Sequence, residues 1–443
     1  MPATSLSRGK FAADTLVRWQ TEDRKKSNHK FFTVQFFVKS LNREIIMTNV
    51  STILKWFNIK RIIIITCSGI LLLFLSIPIV ITINLINSRP STPWQFPVGN
   101  TVMSSPTIDE GIIYFGSLND FKPSAFYAFD AMTGEEKWKK SLRGSVTTSP
   151  IISNEMLYFC TDDGFCYGID KNTGDELWVF SPEQRDLNVS NCDKCALKFS
   201  QPIFDNNILY VGGLDHNLYA LDAQTGFMKW SFNTNNSILN APTISDGKIY
   251  LGSTDGNIYV IDAQTGIKLL NFSIPSSIDK NSEPGIYATP LVDPTTIYAV
   301  NGSLVALDIQ SRNISWQFSS QSPLDQIIGN PLMFENSIIT TTVDAIYAID
   351  KATGEPIWEY SDIKGGVFFS PILEDGNIYF GDSSGYLYII NAKTGHQVRK
   401  YNMNLLDLSS YSNFTAEFVF QPTVEEDMIY VGWNNTFYAI RND

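Results

Sequence analysis

The stretch LYALDAQTGFMKW, residues 218–230, decides the fold of this chain because it is one copy of a repeated phrase. Two short apolar runs flank an Asp-x-x-Thr-Gly turn, and Trp230 follows Asp222 by eight residues. Apolar runs on either side of a tight turn are typical of a β-hairpin. Asp accepts hydrogen bonds from nearby backbone N–H groups, and Gly supplies the positive φ that the return needs.

The phrase recurs six more times, as FYAFDAMTGEEKW, CYGIDKNTGDELW, IYVIDAQTGIKLL, LVALDIQSRNISW, IYAIDKATGEPIW and LYIINAKTGHQVR, and FYAIRND is a shorter eighth copy. Self-similarity at a spacing of about 40 residues indicates a repeat architecture. We predict that the turn acids form turns and that the repeated Trp side chains pack between units. These structural positions are Asp130, Asp170, Asp222, Asp262, Asp308 and Asp350, and Trp94, Trp138, Trp178, Trp230, Trp316 and Trp358.

Each unit begins at a proline, and there are eight starts: Pro106, Pro150, Pro202, Pro242, Pro290, Pro331, Pro371 and Pro422. The β-branched and aromatic runs that follow, broken by short turns, predict four strands per unit, which we name A to D. Proline lacks a backbone donor, so strand A fits a sheet edge. In a propeller that edge lines the central channel.

The last unit has strands A to C but no strand D. PWQFPVGN, residues 93–100, matches the strand D pattern WSF of residues 230–232. We therefore predict an all-β fold, an eight-bladed β-propeller of four-stranded antiparallel blades over residues 92–443. Its last blade is completed by the N-terminal strand, which removes the open sheet edges.

The Ala/Ile-x-Asp-x-x-Thr-Gly-x-x-x-Trp phrase resembles the repeats of quinoprotein-like, or PQQ-like, eight-bladed propellers. That family includes PQQ-dependent alcohol dehydrogenases and the BamB-like outer-membrane assembly scaffolds. The resemblance covers the propeller region. It implies the fold rather than the function, because the motif is structural in all members.

Residues 62–87 contain no charged residue. About 20 apolar residues suffice to cross a membrane, so we predict one transmembrane helix at 62–87 and a linker at 88–91. A lipoprotein interpretation would use Cys67, but most of the apolar run follows that residue. The length of the run also exceeds that of a cleaved signal peptide.

Charge is distributed unevenly about that segment. Residues 1–61 carry 12 Lys/Arg against 4 Asp/Glu, whereas residues 88–443 carry 21 against 41. The positive-inside rule then predicts a single-pass protein with a basic cytosolic tail at 1–61 and an extracytoplasmic propeller. The overall net charge of −12 argues against nucleic acid as a partner.

The start of the chain has two interpretations. Residues 1–46 lack clear periodicity, and MTNVSTILKWFNIKRI from Met47 would make an ordinary signal-anchor start. Either translation begins at Met47, or the preceding residues are a disordered basic tail. A peptide from residues 1–46 in the mature protein would refute the first interpretation.

Four cysteines lie in the propeller region: Cys160, Cys166, Cys192 and Cys195. An extracytoplasmic location favours two disulfides, with the pairing left open. A four-thiolate zinc site and a redox Cys-x-x-Cys are the alternatives, and the latter lacks the helix N-terminus that lowers a thiol pKa.

Seven Asn-x-Ser/Thr triplets are candidate glycosylation sites. The competing interpretation is that an Asn/Ser/Thr-rich surface produces such triplets by chance. The triplets begin at Asn188, Asn235, Asn271, Asn301, Asn313, Asn413 and Asn434.

Strand order assigns the loops to two faces: A–B and C–D turns lie on one, and B–C and D–A connections lie on the other. The C–D spacing is constant, whereas the D–A connections vary in length, so we call the second face the variable face. Loops on a rigid scaffold usually carry binding, and we expect it at 181–200, 274–287 and 403–418. Candidate partner-binding residues in these loops are Arg185, Asp186, Lys194 and Tyr411. Two further candidates lie in B–C hairpins: His216, which has a solvated turn residue as its alternative interpretation, and Trp433, which we expect to be an exposed aromatic contact.

Catalysis has little support in the sequence. The dehydrogenase resemblance implies a quinone, a Ca²⁺ held by carboxylate and amide oxygens, and an adjacent Cys-Cys pair, which this chain lacks. None of the residues before the eight prolines is charged, and a ring without carboxylates is a poor Ca²⁺ site. These residues are Ser105, Ser149, Gln201, Ala241, Thr289, Asn330, Ser370 and Gln421.

We therefore expect no catalytic residue, no metal and no cofactor. The sequence predicts a membrane-anchored, monomeric, non-catalytic propeller that binds other proteins at the membrane surface, BamB-like rather than a dehydrogenase. One alternative is a PQQ- and Ca²⁺-dependent quinoprotein oxidoreductase. Another is a ligand-sensing ectodomain, although the N-terminal part has no recognisable signalling domain.

Overall fold

The computed structural model of the chain describes residues 16–20, 33–37, 94–98, 102, 104–117, 124–146, 148–182, 199–274, 285–320, 326–403, 421–425, 427–433 and 436–442. It divides into two units, residues 1–85 and 86–443. Every regular element in the described residues is a β-strand. Within this described part, no helix has the length and apolarity that a membrane crossing requires. The predicted transmembrane segment and linker lie outside it.

The first unit contains two antiparallel strands, β1 (Leu16–Gln20) and β2 (Thr33–Phe37). Leu16 lies opposite Phe37, and Gln20 lies opposite Thr33. The sequence did not predict this pair, because residues 1–46 show no clear alternation of apolar and polar residues.

The second unit consists of eight four-stranded antiparallel sheets, as the repeats predict. Blades 1 to 4 contain, four strands to a blade, β4 (Thr107–Asp109), β5 (Ile112–Gly116), β6 (Ser124–Asp130), β7 (Glu136–Leu142); β8 (Ile151–Ser153), β9 (Met156–Cys160), β10 (Cys166–Asp170), β11 (Glu176–Phe180); β12 (Ile203–Asp205), β13 (Ile208–Gly212), β14 (Asn217–Asp222), β15 (Met228–Asn233); and β16 (Thr243–Ser245), β17 (Lys248–Gly252), β18 (Asn257–Asp262), β19 (Lys268–Ser273).

Blades 5 to 8 continue the same A-to-D order. They contain β20 (Leu291–Val292), β21 (Thr296–Val300), β22 (Leu304–Asp308), β23 (Ile314–Phe318); β24 (Leu332–Phe334), β25 (Ser337–Thr341), β26 (Ile346–Asp350), β27 (Pro356–Tyr360); β28 (Ile372–Glu374), β29 (Asn377–Gly381), β30 (Tyr386–Asn391), β31 (Gln397–Asn402); and β32 (Thr423–Glu425), β33 (Met428–Trp433), β34 (Thr436–Arg441), with β3 (Trp94–Pro97) as the fourth strand of blade 8.

The closure of the ring by the N-terminal strand is confirmed. Strand β3 pairs antiparallel with β34, with Trp94 opposite Ala439 and Pro97 opposite Thr436. Blade 8 therefore joins residues from the two ends of the propeller. The pairing covers the edge of β34 that the last repeat would otherwise leave open.

The core lies between neighbouring blades. In β14 the four central residues are buried, whereas in β15 exposed and half-buried residues alternate. Strands B and C are covered on both faces by adjacent blades, so they are continuous apolar runs. Strand D is the outer strand and packs on one side only. One representative cluster joins blades 3 and 4 through Tyr210, Leu218 and Leu251.

The repeated turn has the geometry that its residues predict. In blade 3, one carboxylate oxygen of Asp222 accepts hydrogen bonds from the backbone N–H groups of Gln224 (3.2 Å) and Thr225 (3.1 Å). Gly226 has φ of 70°, a conformation that side chains with a Cβ rarely adopt. The turn acids therefore satisfy backbone donors, and their repetition does not mark an acidic ligand site.

Candidate functional site

Six of the eight outer strands carry a Trp, which packs on the glycine of the C–D turn of the following blade. The indole Nε1 of Trp178 donates to the carbonyl of Ala223 at 2.9 Å. A Cβ on Gly226 would lie 2.7 Å from the indole ring, so the turn needs glycine for packing as well as for φ. The same hydrogen bond joins Trp94 to Ala131, Trp138 to Lys171, Trp316 to Lys351, and Trp358 to Ala392.

The junction between blades 4 and 5 lacks this contact. Leu270 occupies the Trp position of β19, and Arg312, with φ of 62°, occupies the Gly position of the next turn. Both partners of the Trp–Gly pair are therefore exchanged together. Without the indole, the Cβ of Arg312 has room, although its backbone conformation is unfavourable for a residue other than glycine.

A second interblade contact lies on the variable face. Ile238 is fully buried, and a Cβ on Gly212 would lie 2.1 Å from its side chain. Val146 packs against Gly116 in the same way. This contact has its own sequence pattern, which lies outside the Asp-x-x-Thr-Gly phrase. A β-branched residue stands four positions before the proline in six units, at Val102, Val146, Ile238, Ile286, Ile327 and Val367.

Seven of the eight residues before the prolines take part in hydrogen bonds between neighbouring inner strands, whereas Ala241 forms none with a described residue. Gln201 accepts from the N–H of Ser149 (2.7 Å) and donates to its carbonyl (2.8 Å). Asn330 accepts from the N–H of Thr289 (2.8 Å), and its own N–H donates to Ser370 (2.9 Å). We call the eight pre-proline residues the channel ring. Its side-chain donors and acceptors are hydroxyl and carboxamide groups.

A cavity of about 420 Å³ opens beside the channel ring on the variable face. Its lining includes Gln201, Ala241, Thr289 and Asn330 of the ring and residues 238–240 of the connection between blades 3 and 4. None of the described residues that line it is charged. The site can therefore make neutral hydrogen bonds and apolar contacts.

The prediction that Trp433 is an exposed contact is wrong. Its side chain is 2% exposed and packs in the cluster that contains Tyr438, whose ring lies 6.1 Å away. Strand β33 continues through Trp433, which pairs with Thr436, so the side chain enters the interface with the neighbouring blade. The sequence pattern predicts that strand B of blade 8 ends before Trp433, whereas β33 includes this residue.

The other partner-binding candidates are not brought together by the described residues. His216 is half-buried with φ of 74°, and its carbonyl accepts from the N–H of Thr234 at 2.8 Å. These features give its backbone a role in the turn. Arg185, Asp186, Lys194 and Tyr411 lie outside the described residues, as do most of the loops 181–200, 274–287 and 403–418.

Two of the four cysteines form a disulfide within one hairpin. Cys160 and Cys166 lie opposite each other in β9 and β10, with their Cα atoms 4.1 Å apart. A zinc site that uses all four thiolates is incompatible with this bond, because zinc binds free thiolates. Cys192 and Cys195 lie outside the described residues.

The candidate glycosylation sites differ in access. Asn235, Asn271 and Asn313 are exposed. Asn301 is 3% exposed, so its candidacy is wrong: the B–C hairpin of blade 5 holds it against its neighbours. Asn188, Asn413 and Asn434 lie outside the described residues.

The channel ring does not match the Ca²⁺ and quinone site of the dehydrogenases that the repeats resemble. Ca²⁺ prefers sites that include carboxylate oxygens, and the ring offers none. Over the described ranges, no three His, Cys, Asp or Glu residues come close enough to hold a metal ion. The donor set therefore does not fit a quinoprotein centre.

The blades, the repeated turn and the interblade Trp define an eight-bladed β-propeller of the PQQ-like class. A family model described as outer membrane protein assembly factor BamB matches residues 87–199, 196–401 and 277–442. The chain belongs to this family.

Known relatives agree with that assignment. The outer membrane protein assembly factor BamB of Salmonella typhimurium is 26% identical over 375 residues, which cover 73% of this chain and 90% of the relative. The BamB of Yersinia pestis is 23% identical over 330 residues, 74% of this chain and 68% of the relative.

Solved structures show the same fold. BamB from Moraxella catarrhalis matches with a TM-score of 0.57 and 16% identity, covering 79% of this chain and 95% of that one. Quinohemoprotein alcohol dehydrogenase from Comamonas testosteroni matches with a TM-score of 0.59 and 13% identity, covering 80% and 77%. An assembly factor and an enzyme thus share this fold, so function has to be argued from the site.

Proposed function

We propose that this chain is a non-catalytic scaffold that binds other proteins during the assembly of outer membrane proteins. The observation that carries the proposal is the match of the BamB family model along the whole propeller. The channel ring supports it. Gln201, Asn330 and Ser370 use side-chain groups in bonds between neighbouring inner strands, and no hydroxyl or carboxamide group of the ring can act as a carboxylate base.

The second candidate function is a quinoprotein oxidoreductase, which the similarity to the alcohol dehydrogenase fold favours. A dehydrogenase of this class would need carboxylate oxygens at the channel for Ca²⁺ and for proton abstraction. The eight ring positions supply none. The scaffold is therefore the better-supported function.

We further propose that the propeller is monomeric and is held at a membrane by residues 62–87. The tail 1–61 would lie in the cytosol, and residues 92–443 would lie on the other side. The uncharged run and the contrast between a basic tail and an acidic propeller support this topology. Protease added to intact spheroplasts should digest the propeller and spare an epitope at the N-terminus, and protection of the propeller would contradict the topology.

The variable face is the surface that we propose for partner proteins. Its D–A connections present Leu239, Tyr287 and Phe368, which are 42%, 46% and 51% exposed. Exposed apolar and aromatic side chains on connecting loops are typical of interaction surfaces. His216, Arg185, Asp186, Lys194 and Tyr411 remain candidates on the same face. Trp433 is replaced by Tyr287 and Phe368 as the aromatic contacts to test.

Site-specific photo-crosslinking in intact cells tests this function. A photoreactive residue is placed at Tyr287 or Phe368 on the variable face, and at Phe227 or Ile267 as controls. The controls are 77% and 63% exposed in C–D turns on the opposite face. We expect crosslinks to proteins of outer-membrane assembly from the variable face only. Equal labelling from both faces, or none, would contradict the proposal.

The oxidoreductase alternative has its own measurement. Purified full-length chain is mixed with PQQ and Ca²⁺, passed through a desalting column and scanned for a retained quinone chromophore. We expect none to be retained. Retention of the quinone in proportion to protein would overturn the non-catalytic assignment.

A further inference from the structure

Hydrogen bonds between neighbouring ring residues join Ser105 to Gln421, Ser149 to Gln201, Thr289 to Asn330 and Asn330 to Ser370, and among the described residues no such bond is present on either side of Ala241. Seven of the eight ring residues have side chains that can hydrogen-bond, and Ala241 does not. The carboxamide of Gln201 bonds to the backbone of Ser149 in the preceding blade, and the backbone N–H of Thr289 donates to the carboxamide of Asn330 in the following blade. Ala241 therefore separates two bonded sections of the ring. The 420 Å³ cavity lies at this gap.

Polar groups that line the cavity have donors and acceptors that no described residue occupies. Among the described residues, none hydrogen-bonds to the side chains of Asn240 or Thr289, or to the Nδ2 group of Asn330. The Asn240 and Asn330 carboxamides can each accept and donate, as a peptide group does. These groups are placed to bind a ligand with its own donors and acceptors.

The lining also has an apolar side. Phe199 is 6% exposed and Leu239 is 42% exposed, and Leu214 completes this side. A charged ligand would lose hydration here without meeting an opposite charge among the described lining residues, which is costly. The volume falls within the range of about 300–1,000 Å³ that is usual for ligand pockets. Because Leu239 leaves the mouth open, a chain can pass across it.

We propose that this cavity binds an uncharged, extended segment of polypeptide. One apolar side chain of the segment packs against Phe199, Leu214 and Leu239, while its peptide groups bond to the Asn240 and Asn330 carboxamides. The inference rests on the proposed function, since the segment would belong to a protein that the scaffold handles. It adds the chemistry that is recognised and the place of recognition.

Fluorescence anisotropy with purified full-length chain tests the site. The probe is a capped, uncharged peptide, acetyl-Ser-Thr-Leu-Thr-Val-Ser-amide, carrying a neutral fluorophore. We expect saturable binding that is weakened about tenfold or more by Ala241→Trp, which fills the cavity, and by Leu239→Ser, which removes an apolar contact. Leu239 is exposed enough for the second variant to fold if the first does not.

The matched control is Phe227→Ser, which removes an exposed apolar side chain from the opposite face and should leave binding unchanged. Absence of saturable binding at millimolar protein would overturn the site. So would equal loss in Leu239→Ser and Phe227→Ser, or equal binding of a peptide with Asp or Lys in place of the two Thr residues. Displacement of the peptide by millimolar glucose would indicate a small polar ligand instead and also overturn it.

The crosslinking measured from Tyr287 separates this inference from the scaffold function. Crosslinks that persist while wild-type chain binds no peptide would overturn the cavity proposal alone. Loss of both would overturn both. Peptide binding that Leu239→Ser abolishes, with crosslinks intact, supports the cavity as a distinct site on the scaffold.

Discussion

The indole Nε1 of Trp94 donates a hydrogen bond to the carbonyl oxygen of Ala131 at 3.0 Å. Trp94 lies in the strand that completes blade 8, and Ala131 lies in the C–D turn of blade 1. The closure of the ring thus uses the same hydrogen bond as four of the junctions between sequential blades. A Cβ on Gly134 would lie 3.0 Å from the same indole, so the packing is repeated as well as the hydrogen bond.

Trp94→Ala should lower the free energy of unfolding by about 3 kcal/mol, the lower end of the usual range because the side chain is half-buried. Trp94→Phe should retain part of this energy, since it loses the hydrogen bond but keeps a ring. Leu177→Ala, at a 53% exposed site on an outer strand, is the control and should change it by less than about 0.5 kcal/mol. Thermal unfolding measures all three, and a Trp94→Ala melting temperature equal to that of wild type would refute the closure argument.

The blade 4–5 junction should accept the contact that it lacks. Leu270→Trp alone should destabilise, because the new indole meets the Cβ of Arg312. Arg312→Gly alone should stabilise by about 1 kcal/mol, since it relieves a left-handed backbone conformation. Combined, the two changes should be coupled favourably by about 0.5–3 kcal/mol.

A double-mutant cycle from urea unfolding gives that coupling energy. The matched reverse cycle at blades 2–3 is Trp178→Leu with Gly226→Arg, which converts an existing junction into the blade 4–5 pair. Strict additivity in both cycles would show that the Trp and Gly positions are independent of each other.

The stability of the propeller should fall in acid through its turn carboxylates. Hydrogen bonds from the Thr265 hydroxyl and backbone N–H lower the pKa of Asp262 below its ordinary value of 3.8. Bonds from the backbone N–H and hydroxyl of Thr353 lower the pKa of Asp350 likewise. A pKa that is lower in the folded state stabilises the fold above the unfolded value. That stability is lost as pH falls through 3.8 toward the folded pKa.

Asparagine can replace these acids without breaking the turn, because Asn391 does so naturally in blade 7. Its Oδ1 accepts from the N–H of Thr394 at 3.0 Å. The Asp262→Asn, Asp350→Asn double variant should therefore lose less stability than wild type between about pH 5 and pH 3, by thermal unfolding at each pH. An unchanged pH slope would show that other carboxylates cause the acid loss.

The hairpin disulfide should contribute about 2 kcal/mol, the modest value expected for a short closed loop. Cys160→Ala with Cys166→Ala should lower the melting temperature accordingly, and reductant should then cause no further decrease through this pair. In wild type both sulfurs belong to buried residues, so a thiol reagent should detect them only after unfolding and reduction. Free reactive thiols at both positions in native protein would contradict the bond.

Much of the fold could be predicted from the sequence because its signals are local. The Asp-x-x-Thr-Gly turn, the proline at strand A and the spacing between them act within one unit and recur along the chain with small changes. The N-terminal WQF was recognisable as a strand D for the same reason, and the pairing of Trp94 with Ala439 confirms it. The absence of charge in the channel ring could also be predicted from the sequence, since it follows from the identity of the pre-proline residues alone.

The site was less predictable because it depends on what the next blade covers. Trp433 and Asn301 occupy positions that a sequence assigns to exposed hairpins, yet neighbouring strands bury both. The Trp–Gly partnership joins residues of different units that no single copy reveals. The gap at Ala241 has meaning only once Gln201 is seen to bond away from it.

The sequence by itself determined the number of blades, the chemistry of their turns and the strand that closes the ring, because each of these is specified by residues close together in the chain. Only the tertiary structure decided which side chains remain exposed, which glycine each Trp contacts and where the channel leaves a cavity. Those features arise from packing between units, and burial by a neighbouring blade is a property of the whole ring rather than of any one repeat.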